Sequence, residues 1–252
     1  MTTPRQYPLD GVTWCFATGG ASGHQPADTP DAMALAIRLG AGGIETTARL
    51  TRDGVVVFRE SARVGGFRRR SVDALTSAEL PPDVARAEGL LSGAASVSAS
   101  CRWLVHVDPT TASPVCDLVD MARAADRVWL VSGDRELLVR LCERVGGSRL
   151  VAATTPATAG SGLERFAATL REHGIGGVQL SHADWSGGRT ALFHRFGRRC
   201  IAAGAVHTRM IVPMLHIGVD AVCTTHPDRF VDALGELGRG VGSERGGGSA
   251  SS

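Results

Sequence analysis

Residues 20–61 read GASGHQPADTPDAMALAIRLGAGGIETTARLTRDGVVVFRES, and their patterning decides the fold. Pro30 and Asp31 are helix-starting residues. Met33, Ile37 and neighbouring alanines then recur at the helical period, and Gly40 supplies the stop, so Asp28–Leu39 is expected to be a helix. Gly43–Thr47 follows as a short apolar strand. Thr51–Gly54 (TRDG) is a tight turn, so Val55–Phe58 is expected to return as a hairpin beside that strand.

Outward from this stretch the alternation continues. Val12–Phe16, Trp103–Val107, Val128–Val131, Leu150–Ala153, Gly177–Leu180, Cys200–Ala203 and Ala221–Thr224 are strand-like apolar runs. Between them, Cys116–Ala125, Arg135–Val145, Leu163–His173, Thr190–Arg199 and Arg209–Ile217 carry the helical period, several closing on Gly (Gly146, Gly174, Gly218). Strand and helix alternating about eight times predicts a closed (β/α)8 TIM barrel, a single domain over residues 1–234. The competing open, doubly wound sheet lacks a G-x-G-x-x-G after the first strand. Gly235–Ser252 (GELGRGVGSERGGGSASS) is read as a disordered Gly/Ser-rich tail, and Arg68–Arg70 as a solvated basic loop.

Composition narrows the chemistry. The 252 residues carry 27 basic and 25 acidic side chains, a net charge of +2 that provides no electrostatic footprint for nucleic acid or an anionic membrane. There is no apolar run of about 18 residues and no basic-then-apolar leader at the start, so a cytoplasmic protein is expected. No Lys and no Asn occur, which excludes lysine Schiff-base catalysis, a lysine-bearing phosphate loop and N-glycosylation. The six cysteines form no C-x-x-C pair and sit in apolar runs such as VTWCF; they read as buried reduced thiols.

The stretch quoted first resembles the opening third of the glycerophosphodiester phosphodiesterases, which read His-Arg-Gly-Ala-Ser-Gly, Pro-Glu-Asn-Thr, Glu-x-Asp, Thr-x-Asp-Gly and His-Asp in that order. VDALTSAEL (72–80), LVHVD (104–108), VSGD (131–134) and IGVDAVCTTHPDRF (217–230) resemble later family segments, so the likeness runs from Phe16 to Phe230. It implies the same barrel. It also implies where the chemistry should be, and there the residues differ. Thr18 and Arg59 stand at the two catalytic histidine positions, and neither side chain relays a proton near neutrality. Of the three carboxylates that hold a divalent cation in the family, only Glu45 remains; Thr47 and His106 replace the others, and Ala27 replaces the glutamate of Pro-Glu-Asn-Thr. One carboxylate and a hydroxyl make a poor cage for a hard cation, so neither a metal nor any other cofactor is expected. Asp108 stands where the family has a lysine.

Strand alternation and this register send Glu45, Thr47, His106 and Asp108 toward the barrel mouth together with Thr18 and Arg59. Three readings of this cluster compete, with a further alternative beside them. Glu45, His106 and Asp108 form a metal-free acid/base site on a small molecule, with Arg59 as its anchor and Asp108 orienting His106. Alternatively the same three residues hold a transition metal. In the third, the pocket only binds a ligand or partner, or its polar residues neutralise one another as a structural network; residual phosphodiester hydrolysis through His106 and Glu45 is a further alternative. His24, Trp185 and His226 are candidate pocket-wall residues.

Overall fold

The computed structural model describes residues 5–65, 69–92, 101–146, 149–159 and 162–244. Eight parallel strands close into a barrel: β1 (Trp14–Thr18), β2 (Gly43–Leu50), β6 (Arg102–His106), β7 (Val128–Ser132), β8 (Leu150–Ala153), β9 (Gly177–Ser181), β10 (Arg199–Ala203) and β11 (Ala221–Thr224). Pairing of β1 with both β2 and β11 completes the ring. The short strand β3 (Val56–Phe58) lies antiparallel on β2, as the TRDG turn predicts, with Leu50 opposite Val56. A two-residue hairpin, β4 (Arg63–Val64) with β5 (Arg70–Ser71), and the short helix α2 (Ala87–Leu91) lie in a region where no element is expected from the sequence.

The outer ring is α1 (Pro30–Arg38), α3 (Ala112–Met121), α4 (Arg135–Val145), α5 (Leu163–Glu172), α6 (Gly187–Arg195), α7 (Thr208–His216) and α8 (Pro227–Glu244). Local chemistry sets their starts. Thr29 caps α1 by accepting from the Ala32 amide, Asp134 caps α4 through Leu137, and Ser186 caps α6 through Arg189. That last cap explains why α6 begins three residues before the expected Thr190; at the other end the helix closes on Phe196 and on Gly197 at φ +68°, which leaves Arg199 to start β10. Gly20 is a position only glycine fits: its φ is +82°, and a Cβ there would lie 2.6 Å from the Ala32 carbonyl carbon.

Outward strand residues such as Trp103, Val105 and Val178 pack under the helices in one large core. Inward residues stack in three layers along the axis. Phe16, Leu104, Val131, Val151, Ile201 and Cys223 fill the middle. Polar groups occupy the layer above, and the layer below is mixed.

The tail boundary requires correction. Gly235 to Glu244 continue α8, because Phe230, Ala233 and Leu237 recur at the helical period and pack on the core. Residues 245–252 lie outside the described residues, as does Arg68; Arg70 pairs with Glu79 at 3.3 Å. Leu237→Ala is expected to lower the stability by about 1 kcal/mol, half the value of a fully buried leucine, read as a shift in the urea midpoint. A disordered tail would give no shift.

Candidate functional site

At the C-terminal ends of the strands, parallel register sets Thr18 beside Glu45 and Thr47 beside His106. With Gln179 from β9, Ala203 from β10 and Glu60 beyond β3, they line a cavity of about 260 Å³. Glu45 is its centre. The carboxylate is buried; Oε2 accepts from the Thr18 hydroxyl at 2.5 Å and Oε1 from the Gln179 amide at 2.6 Å. His106 Nε2 lies 3.1 Å from Oε1. Burial pushes the Glu45 carboxyl upward, but the hydrogen bond and charge of His106, with those of Thr18 and Gln179, hold it below the usual carboxylate range. Glu45 is therefore an anion held by three donors.

The His106 side chain is 32% exposed and faces the cavity. With Nε2 on Glu45, Nδ1 is the ring nitrogen available to a substrate, and it has no hydrogen-bond partner among the described residues. A buried carboxylate that fixes one edge of an imidazole while the other edge meets a pocket is an arrangement suited to proton transfer.

Four of the expected mouth residues, Thr18, Glu45, Thr47 and His106, are brought together; the others are not. Asp108 does not reach His106. Its Oδ1 accepts from the Thr110 and Thr111 amides and hydroxyls, so it closes the turn that starts α3, because a carboxylate two residues past the strand end finds orphan helix amides nearer than an imidazole. Arg59 does not line the cavity. Its amide donates to the Thr47 carbonyl, while Nε and Nη1 are buried without a partner among the described residues. Trp185 is no lid: it is buried, donates Nε1–H to the Ile201 carbonyl and packs edge-on against Phe193. His24 and His226 form a separate group on the same face of the barrel, their rings edge-on at 5.2 Å and His24 bonded to Asp228 at 2.9 Å.

Gln179 and Asp28 are the residues that sequence reading missed. Gln179 had a visible signal, a lone amide inside the apolar strand GVQLS. Asp28 follows the position of Ala27 and takes φ +64°, a conformation that Asn and Asp tolerate. Its Oδ2 accepts from the Glu60 amide, while burial raises its carboxyl above the usual range despite that bond and the nearby Arg59 charge. A raised folded value means that the stability from Asp28 is present below its unfolded pKa and is lost as pH rises through the folded one. Asp28→Asn is accordingly expected to raise the urea midpoint at pH 7, with the gain shrinking toward pH 4.

A hard divalent cation does not fit this donor set. Every Glu45 oxygen already accepts a hydrogen bond, and Gln179 presents N–H where a cation would need oxygen. The other two positions offer the Thr47 hydroxyl and an imidazole. For a transition metal through Glu45, His106 and Asp108, the Asp108 carboxylate is committed to the α3 turn.

No family model and no curated protein matches the chain. Solved structures do match. A protein from Agrobacterium tumefaciens assigned as a glycerophosphoryl diester phosphodiesterase superposes with a TM-score of 0.80 at 15% identity, over 91% of this chain and 100% of its own. The glycerophosphodiester phosphodiesterase of Thermotoga maritima superposes at 0.76 and 17%, over 88% and 98%. A phosphodiesterase from Oleispira antarctica, solved with its product sn-glycerol-3-phosphate, superposes at 0.76 and 14%, over 91% and 100%. The fold is that of the glycerophosphodiester phosphodiesterases.

Proposed function

We propose that this barrel is a metal-independent enzyme that moves a proton on a small molecule, in an isomerisation, cyclisation or elimination. The observation that supports it is the buried, triply bonded Glu45 holding one edge of His106 while the other edge faces a cavity of about 260 Å³. His106 Nδ1 accepts a proton from the substrate, and the Glu45 carboxylate stabilises the imidazolium that results. The same nitrogen returns the proton to a second substrate atom. Thr18, Thr47 and Gln179 set the shape of the pocket. Glu45 and Glu60 bring two carboxylates to the lining, and no arginine joins them. An uncharged or amine-bearing polar substrate is therefore better matched than a phosphodiester, whose charge would meet like charge. The reading includes a cytoplasmic location with no nucleic-acid or membrane partner; among the described residues no helix is long and apolar enough to cross a membrane.

The test is proton NMR in D2O of small neutral and amine-bearing hydroxycarbonyl compounds incubated with the protein. The expected result is loss of a C–H signal with the wild-type protein and its persistence with the His106→Gln protein. Compounds that bind at the mouth without any exchange would favour a binding pseudoenzyme. The metal side has its own check. Titration with Mg²⁺ or Ca²⁺ should show no site tighter than about 1 mM, and glycerophosphocholine should not be hydrolysed in their presence. Hydrolysis lost to a chelator and restored by either ion would overturn the proposal in favour of the phosphodiesterase reaction.

A further inference from the structure

The opposite end of the barrel holds a second cavity, about 320 Å³ in volume. Strand alternation puts its walls inside the barrel: Trp14 lies one layer below Phe16, Arg102 below Leu104, Trp129 below Val131 and Arg199 below Ile201. A barrel usually fills this layer with bulky branched side chains. Here two guanidinium groups and two indoles occupy it, an expensive choice for packing alone.

The cations differ in their commitments. Arg199 gives Nε and Nη2 to Asp10, at 3.0 and 3.4 Å, and lies 5.9 Å from the Trp129 ring. Arg149 enters from the rim and donates Nη1 to the Asp126 carbonyl. Arg102 lies over Trp14 at 3.6 Å from the ring centroid and has no carboxylate partner among the described residues. Stacking removes water from one guanidinium face and fixes the plane, leaving the N–H fork for a bidentate acceptor. Asp10 and Asp126 also line the cavity, so a polyphosphate would meet two carboxylates where a single oxyanion group need not.

We propose that this basal cavity binds a small molecule carrying one carboxylate or phosphate monoester on an aromatic or apolar body. The oxyanion takes the fork of Arg102 with help from Arg149, and the body rests against Trp129 and Val12. The inference does not rest on the reading of the mouth, since the middle layer of apolar side chains separates the two ends.

The experiment uses the four indole N–H signals (Trp14, Trp103, Trp129, Trp185) in a nitrogen–proton correlation spectrum, with Trp14→Phe and Trp129→Phe to assign the two that line the cavity. Phenyl phosphate and benzoate are titrated in turn, with sodium chloride at matched ionic strength. Saturable shifts at Trp14 and Trp129, with Trp103 and Trp185 unmoved, are expected. The tighter of the two probes then identifies the headgroup. Arg102→Gln should weaken binding at least about tenfold, as loss of a charge-assisted bidentate contact does, and Arg102→Lys by less. Absence of saturable shifts, equal movement of all four indoles, reproduction by chloride, or an Arg102→Gln affinity equal to wild type would each overturn the proposal. The wild-type titration alone decides it if the variant does not fold.

Discussion

Replacing His106 with glutamine is expected to lower turnover by roughly 10²–10⁴-fold while the affinity of the mouth cavity changes little. The amide of glutamine can still donate to Glu45 and keeps much of the shape of the imidazole, but it has no pKa near neutrality. Glu45→Gln should cost turnover on the same order by a different route. An amide can present a donor to Thr18, Gln179 and His106, which already donate, and it removes the negative charge that favours the imidazolium. The stability sign can be checked separately. A depressed carboxyl contributes stability above its unfolded pKa and loses it as pH falls through the folded value. Wild type should therefore lose stability on acidification below the ordinary glutamate range, and Glu45→Gln should flatten that loss. Solvent-exchange rates and urea midpoints between pH 3 and 8 measure both effects, with the exposed His173→Ala as control. If His106→Gln retains wild-type turnover, the proton shuttle lies elsewhere.

Asp220→Ala is expected to destabilise the barrel by about 3–5 kcal/mol, the cost of removing one partner from a buried charged network. Asp220 is buried at the base. Its Oδ1 accepts from the Leu9 amide at 2.7 Å, and Oδ2 accepts from the Cys200 amide at 2.7 Å and meets His194 Nε2 at 2.8 Å. One carboxylate thus ties the N-terminal segment, β10 and α6 to the start of β11. Alanine would take the acceptor from two amides and a ring nitrogen, the Cys200 amide being buried. The melting temperature should fall by roughly 6–20 °C for a domain of this size. A fall of less than 2 °C would show that this brace contributes nothing.

The architecture could be read from the chain because it rests on local signals. Period-2 and period-3.6 runs, glycine stops and the TRDG turn specify each element through neighbours a few residues away. That sufficed for the barrel and for the hairpin of β3 on β2; alternation also put Glu45 with Thr47 on one face, but that this face, with Thr18 and His106, turns to the mouth was implied by the family resemblance. The last turns of α8 were missed because Gly235–Ser252 is Gly/Ser-rich with almost no large apolar residue, and it is the packing of Leu237 on the core that carries the helix on.

What tertiary structure alone decided is which polar groups pair. Alternation would put Asp108 on one face with His106, yet β6 ends at His106 and the Thr110 and Thr111 amides ahead of α3 claim the carboxylate. Arg59 stands at a mouth position by its place in the family motif, yet it does not line the cavity, and its Nε and Nη1 are buried elsewhere. Glu45 met Gln179, 134 residues distant in sequence, because β9 presents its amide across the barrel. The alternation of a strand fixes the layer in which a side chain lies, but its hydrogen-bond partner is chosen by competition among donors from other strands. Those donors come within reach only when the barrel closes, and burial then makes each unpaired group costly enough to decide the outcome.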